Sequence, residues 1–336
     1  NGSKVPEDDL QKLIGLKSVK DTVTQMAARM EFNQKNKLKS LSGHHLVFMG
    51  APGTGKTTVA TAFIKLLNAK GYADCDVDAP NLHLLMHQNT NKISSNYYGM
   101  DKAVIDSEKC ISCGLCMEKC RFDAIENESD YKVNPFACEG CSLCGYVCPV
   151  NAITMNKDVA GERMLYKSDA VFSTAELKMG SGTSGMLVSE VKKGLRDNLV
   201  TDEIVIIDGS PGIGCPVIAS ITGVDFVLIV SEPSISGISD MKRIIETANH
   251  FKTKVAVCIN KYDTNIKKAE EIEEYCIQKN IPFVGNIPFD NKAVKAINEG
   301  KSIIDEDTIS GKAVKDVYFK TISYLSDYDK KLESIL

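Results

Sequence analysis

The chain has 336 residues, 43% of them hydrophobic and 25% charged, with a formal net charge of −4. That length is enough for two or three units with a sizeable core, and the charge gives no general attraction for nucleic acid. No run approaches the roughly 20 apolar residues of a membrane-spanning helix, and the N-terminus is too polar for a signal peptide, so a reducing cytoplasm is expected, with no membrane association. The chain begins Asn1-Gly2-Ser3 without a methionine, and its native start is expected upstream.

Residues 1–43 read as a helical arm, with an amphipathic run from Asp8 to Lys39 whose charges form a solvated face. His44 and His45 have no partner motif and read as the lead-in to a strand rather than metal ligands. His45 to Met49 is a short buried strand, followed by Gly50-Ala51-Pro52-Gly53-Thr54-Gly55-Lys56-Thr57 and a helical run from Thr58 to Leu67. Strand, G-x-x-x-x-G-K-[ST] and helix in that order make a Walker A loop for ATP. The glycines let backbone N–H groups close round the phosphates at the positive end of the helix. Lys56 is expected to reach the β/γ oxygens and Thr57 to ligate Mg²⁺. Gly50, Gly53, Thr54, Gly55, Lys56, Thr57 and Thr58 are therefore the candidate contacts. Tyr72 to Asn81 then places Asp74 and Asp76 at the end of a strand.

Eight of the twelve cysteines fall in two runs, Cys110-x2-Cys113-x2-Cys116-x3-Cys120 and Cys138-x2-Cys141-x2-Cys144-x3-Cys148, each cysteine 28 residues from its counterpart. Ala124-Ile125 recurs as Ala152-Ile153 at the same offset; Arg121 stands where the second run has Pro149. The duplicated pattern resembles the bacterial two-cluster ferredoxins. It implies one 4Fe-4S cluster on Cys110, Cys113, Cys116 and Cys148, and a second on Cys138, Cys141, Cys144 and Cys120. Structural zinc is the competing reading, although zinc sites usually take two close cysteine pairs; disulfides belong to oxidising compartments.

Farther along, Ala175 to Gly185 is rich in glycine and serine and reads as a mobile loop near the nucleotide. Glu203 to Asp208 is an apolar strand ending in an aspartate, beside a D-x-x-P-G turn through Pro211 and Gly212. That aspartate is expected to hold Mg²⁺ through water, and the Gly212 amide to sense a γ-phosphate. Phe226 to Val230 and Lys254 to Ile259 read as parallel strands buried on both faces. The second delivers Asn260-Lys261-Tyr262-Asp263, placed to hold a base. Cys75, Cys258 and Cys276 read as core residues, and Cys215 as a lone buried or half-buried thiol, with a transferred or bridging cluster in a dimer the alternative. Val314, Val317, Tyr318, Ile322, Leu325 and Leu332 recur at helical spacing in a last helix from Gly311 to Leu336, packed on the sheet rather than on a membrane. Strands alternating with helices, and ligand residues at strand C-termini, predict a doubly wound α/β sheet, mostly parallel.

Several of these stretches together resemble the MinD/Mrp-type P-loop ATPases that carry an inserted ferredoxin domain. They are Asp74 to Asn81, the two cysteine runs, Ser184 to Val188, Asp208 to Pro216, Glu232-Pro233, Asn260-Lys261 and Gly285 to Phe289. The resemblance implies an ATP-dependent homodimer, with Lys56, Asp76 and Asp208 catalytic: Asp76 orients the attacking water, Asp74 and Thr57 lie near Mg²⁺, and Asp208 heads switch II. Asp8 to Leu67 instead resembles the start of the AAA+ ATPases of the sporulation and Rubisco-activase type, joined near Asn68 to Gly71. That joint leaves the strand before Asp74 short. Ala51-Pro52 stand where the MinD/Mrp family has a lysine and a glycine, the lysine crossing to the partner's nucleotide, so weak hydrolysis is expected. The organisation expected is an arm at 1–43, a P-loop body at 44–100 and 158–336, and a ferredoxin insertion at 101–157. Its expected function is an ATPase coupling nucleotide state to electron transfer or iron–sulfur delivery to a redox or metallocofactor partner protein. The alternative is a ferredoxin-type carrier or binding module on an impaired P-loop scaffold.

Overall fold

The computed structural model describes residues 44–86, 92–199 and 204–333, with side chains in the last helix as far as residue 325. The expected arm at 1–43, the Glu203 lead-in and Leu332 lie outside the described residues and side chains.

The first strand shows how the sheet is built. In β1 (His45–Met49) every residue from Leu46 on is fully buried. Leu46 and Phe48 join one apolar layer, Val47 and Met49 the other, because side chains alternate across a strand and both faces of a central parallel strand are covered. The chain turns through the phosphate loop into α1 (Lys56–Leu67), which starts two residues before the expected Thr58, and then β2 (Gly71–Asp74) and α2 (Leu82–Met86). β2 is short, as its position after the joint suggests, yet it is paired on both sides. β3 (Lys92–Tyr98) leads out of the sheet.

Between β3 and its antiparallel partner lies a small lobe: β4 (Lys102–Ile105), α3 (Leu115–Lys119), β5 (Ile125–Asn127), β6 (Tyr131–Val133), α4 (Leu143–Val147) and β7 (Ile153–Asn156). β4 pairs with β7 and β5 with β6, each antiparallel. The chain returns through β8 (Val159–Lys167) and β9 (Val171–Leu177), then α5 (Ser184–Asn198), β10 (Val205–Asp208), α6 (Cys215–Ile221), β11 (Phe226–Ser231), α7 (Ile235–His250) and β12 (Lys254–Asn260). A 3₁₀ turn at Tyr262–Thr264 precedes α8 (Ile266–Gln278), β13 (Phe283–Ile287), α9 (Asn291–Asn298) and α10 (Ile309–Glu333).

The main sheet runs β13-β12-β11-β1-β10-β2-β9-β8-β3. It is parallel from β13 to β9 and antiparallel beyond. One face is covered by α5, α7 and α8 through Leu187, Val191, Ile244 and Ile272, the other by α1 and α10 through Phe63, Val314, Val317, Tyr318 and Ile322. This is the doubly wound arrangement. α10 packs on the sheet at each expected position through Leu325.

Two expectations are corrected here. Ala175 to Leu177 complete β9 and Ser184 opens α5, so the glycine-rich connection shrinks to 178–183. Ala175 is fully buried, and burial on a sheet outweighs the loop-forming character of its neighbours.

The second correction concerns the lobe. Cys120, Cys138, Cys141 and Cys144 line one small cavity, and Cys110, Cys113, Cys116 and Cys148 another. Yet among the described residues no group of three or more His, Cys, Asp or Glu side chains is arranged to hold a metal ion. The Cys120 and Cys148 sulfurs instead accept backbone N–H groups of Ala124 and Ala152 at 3.4 and 3.3 Å. The expected ferredoxin insertion, its two 4Fe-4S clusters, and the electron-transfer or iron–sulfur-delivery function with its redox partner are not carried by this arrangement. Nor is the alternative of a ferredoxin-type carrier.

Candidate nucleotide-binding site

The site lies where neighbouring parallel strands part. β1 sits between β10 and β11, while its helix α1 leads over β10 to β2. Crevices at the C-terminal ends of such strands are where open α/β sheets bind ligands. There Asp208 ends β10 beside Asp74 at the end of β2, and the phosphate loop leaves β1.

The loop is shaped by close approach. A Cβ on Gly50 would collide with the Val230 carbonyl and one on Gly55 with the Asn260 side-chain amide. Gly53 and Gly55 take φ of +82 and +84, values that only glycine adopts without cost. Thr54 Oγ1 donates to the Ala51 carbonyl at 2.9 Å. Asn260 Nδ2 donates to the Thr54 carbonyl at 2.7 Å, and Lys261 Nζ to the Gly53 carbonyl at 2.8 Å. With these carbonyls tied back, the first turn of α1 presents amides that have no partner within the helix. Thr58 is half-buried in that turn. Asn260, expected to hold a base, is thus seen bracing the loop.

Three carboxylates surround one lysine. Lys56 Nζ stands 3.2 Å from Asp208 Oδ1 and 3.9 Å from Asp76 Oδ2, and Thr57 Oγ1 donates to Asp208 Oδ2 at 2.6 Å. Asp74 accepts the Asp76 amide on Oδ1 at 3.0 Å and the Asn81 and Leu82 amides on Oδ2 at 2.9 Å each. Burial opposes the charge on Lys56, but Asp208, Asp76 and Asp74 outweigh it and hold its pKa above the usual lysine value. Burial, with Asp208 adding to it, pushes Asp74 up to about 7 despite those amides. Burial likewise raises Asp76, with Lys56 opposing. One buried cation cannot neutralise three carboxylates, so the cluster favours a further positive charge or shared protons.

Beyond β10, Gly212 has φ +91 with nothing within 4 Å of where a Cβ would stand, so its backbone faces open space. Cys215, expected to be buried or half-buried, is exposed at the start of α6. Cys75, Cys258 and Cys276 are buried, and burial pushes the first two up to about 12. They are inert core thiols. Two residues with no role expected from sequence complete the setting. Ser210 donates its amide to Ser220 Oγ at 3.2 Å and its hydroxyl to the Cys75 carbonyl, and Glu232 stands 3.6 Å from Lys261. Both lie in stretches marked by the sequence, Ser210 in the D-x-x-P-G turn and Glu232 in the Glu-Pro step after an apolar strand.

The family model of the CobQ/CobB/MinD/ParA nucleotide binding domain matches residues 46–303. An uncharacterized protein of Methanocaldococcus jannaschii is 32% identical over 286 residues, 83% of this chain and 96% of that one. A 55-residue stretch is 38% identical to pyruvate synthase subunit PorD of the same organism, covering 16% of this chain and 64% of that one. Among solved structures, the cell division ATPase MinD of Pyrococcus furiosus superposes with a TM-score of 0.50 at 16% identity, over 84% of this chain and 99% of that one. Among the described residues no helix is long and apolar enough to cross a membrane. The matched segment spans the phosphate loop, Asp74, Asp208 and Asn260, and the chain belongs to the CobQ/CobB/MinD/ParA nucleotide-binding family.

Proposed function

We propose that the chain is a nucleotide-dependent switch that binds Mg·ATP at Gly50–Thr58 and hydrolyses it slowly. The observation that carries this reading is Lys56, buried among Asp74, Asp76 and Asp208 at the mouth of the phosphate loop. The cradle suits a triphosphate: Gly53 and Gly212 leave room, and the start of α1 offers amides and the positive end of its dipole. In this reading Lys56 exchanges Asp208 for the β/γ oxygens, and the Thr57 hydroxyl exchanges it for Mg²⁺. Asp74, Asp208 and Thr57 would hold Mg²⁺, which would supply charge neutralisation at the phosphates, and Asp76 would orient the attacking water. Gly212 offers its amide to the γ-phosphate, and Asn260 keeps the loop in shape.

A homodimer fits this switch. Pro52, at the tip of the loop, is exposed, and so are Met186 and Ile213, apolar side chains suited to cover by a second copy. Exposed thiols such as Cys113, Cys141 and Cys215 suit a reducing compartment, and we place the protein in the cytoplasm. Without a lysine at 51, charge on the partner's phosphate goes unmatched and hydrolysis is slow.

Calorimetry with Mg·ATP tests the site: Lys56→Ala should weaken binding by about tenfold or more, the loss of a buried charge-assisted contact. Unchanged affinity would refute it. Ala51→Lys with Pro52→Gly should raise turnover at least about tenfold, a fraction of what positioned cations give in related chemistry. No gain from the pair would show that no cation is wanted at that position.

A further inference from the structure

α6 follows directly on the loop 209–214 and has only seven residues. A helix that short is marginal alone, and its last carbonyls have no partners within it. Lys192, eight residues into α5, supplies them. Its ammonium donates to the carbonyls of Ala219, Ser220 and Thr222 at 2.9, 2.9 and 2.6 Å. All three ammonium protons are thereby used, at the negative end of the helix dipole, where a cation is favoured. At the other end of α6, Gly185 of α5 lies against Cys215 so closely that a Cβ would press into it. α5 therefore holds α6 at both ends.

What α6 holds in turn is the nucleotide side. Ser220 is fully buried; its hydroxyl donates to the Pro216 carbonyl at 2.8 Å and accepts the Ser210 amide at 3.2 Å. Ser210, also buried, bonds the Cys75 carbonyl, and the Cys75 amide donates to the Asp208 carbonyl at 2.8 Å. Cys75 stands between Asp74 and Asp76. A continuous hydrogen-bonded chain thus runs from Lys192 through Ser220 and Ser210 to the strand end that carries Asp74 and Asp76.

We infer that Lys192 is a positioning residue for ATP hydrolysis: by capping α6 it sets Ser220 and Ser210, and through them the relative placement of the loop 209–214 and Asp76. It touches no nucleotide, so its removal should affect the step that needs alignment more than binding. The inference rests on the ATPase reading of the site.

The test is steady-state ATP hydrolysis and Mg·ATP calorimetry on the full chain with Lys192→Met, Lys192→Arg, Ser220→Ala and the Met/Ala double variant. Lys192→Met should lower kcat by about ten- to a hundredfold, as small misplacements of catalytic groups do, while KM moves by less than about twofold. Lys192→Arg should recover most of the rate, because a guanidinium also donates to several carbonyls. Ser220→Ala should lower kcat in the same way, and the double variant should fall no further than the worse single one. If Lys192→Met is folded and turns over like wild type, or if the double variant loses the product of the two single losses, the inference is overturned. If Lys192→Met does not fold, Ser220→Ala and Lys192→Arg decide it: wild-type kcat in Ser220→Ala overturns it. Wild-type protein that neither binds nor hydrolyses ATP would refute the site reading itself, an outcome the calorimetry separates from the rest.

Discussion

The sheet body and the small lobe at 102–156 solve the problem of stability in opposite ways. The body buries two continuous apolar layers, one on each face, with aromatic contacts such as Phe63 edge-on to Phe48 and Tyr318 at 4.9 and 5.2 Å between ring centres. The lobe's buried apolar cluster is Ala103, Ala124 and Cys138, while Phe136, Tyr146 and Ile111 are largely exposed. A body with so much buried surface can carry the unfavourable cluster at its nucleotide end, three carboxylates round one lysine. The lobe has no such reserve and leans on the body instead. Phe136 meets the backbone at Gly180 of the body, while within the lobe and at its entry Lys102 bonds the Cys138 carbonyl and Gly140 fits against the Asp101 backbone.

Four measurements would break or sharpen this contrast. The largest effect belongs to the body: Phe63→Ala should cost about 3–5 kcal/mol of global stability in chemical denaturation, and a loss under about 1 kcal/mol would show that the layer is not cooperative. Next comes pH. The Asp74 pKa is raised from 3.8 to about 7, so the folded state holds a proton that the unfolded state releases. Its stabilising contribution is complete below pH 4 and is lost as pH rises through about 7. The difference is on the order of 4 kcal/mol for a shift of this size. Asp74→Asn should flatten that decline between pH 4 and 8, and a wild-type stability curve parallel to the variant's would refute the assignment. Third, Gly180→Ala places a side chain at φ +80 beside Phe136, and about 1 kcal/mol of strain should follow. It should appear as faster proteolysis or amide exchange in the lobe, without a matching fall in the body's protection. The smallest effect is Phe136→Ala, which should alter global stability by less than about 0.5 kcal/mol because the side chain is 75% exposed. A larger loss would mean that the lobe and body unfold as one.

Much of the body was legible in the sequence because its signals are local. The apolar runs at His45–Met49, Phe226–Val230 and Lys254–Ile259, the phosphate loop and the aspartates closing strands each announce themselves within a few residues. What was not legible depends on residues far apart. Lys192 reaches carbonyls nearly thirty residues on, and nothing near it in sequence marks it as a cap. Ser210 and Ser220 are linked only when the fold brings one's amide to the other's hydroxyl. The cysteine runs show the opposite limit. Spacing along the chain brings the thiols into two cavities, as the motif suggests, but spacing does not aim side chains, and the described residues form no grouping suited to a metal ion. Asn260 followed the same course: its place at a strand end was evident, whereas its bond to the Thr54 carbonyl depends on how closely the phosphate loop packs.

The pairing of β3 with β8 also makes the lobe separable in principle. Tyr98 and Val159 are register partners, and the Gly99 amide donates to the Asp158 carbonyl at 3.2 Å, so the chain leaves and rejoins the body at neighbouring points. Because the two ends of the segment between them are already held together, its length weighs little on the sheet, each doubling costing only about 0.6 kcal/mol. Replacing residues 99–158 with a two-residue Asn-Gly turn should leave a folded sheet, and the nucleotide-binding part of the molecule would then be obtained without the lobe.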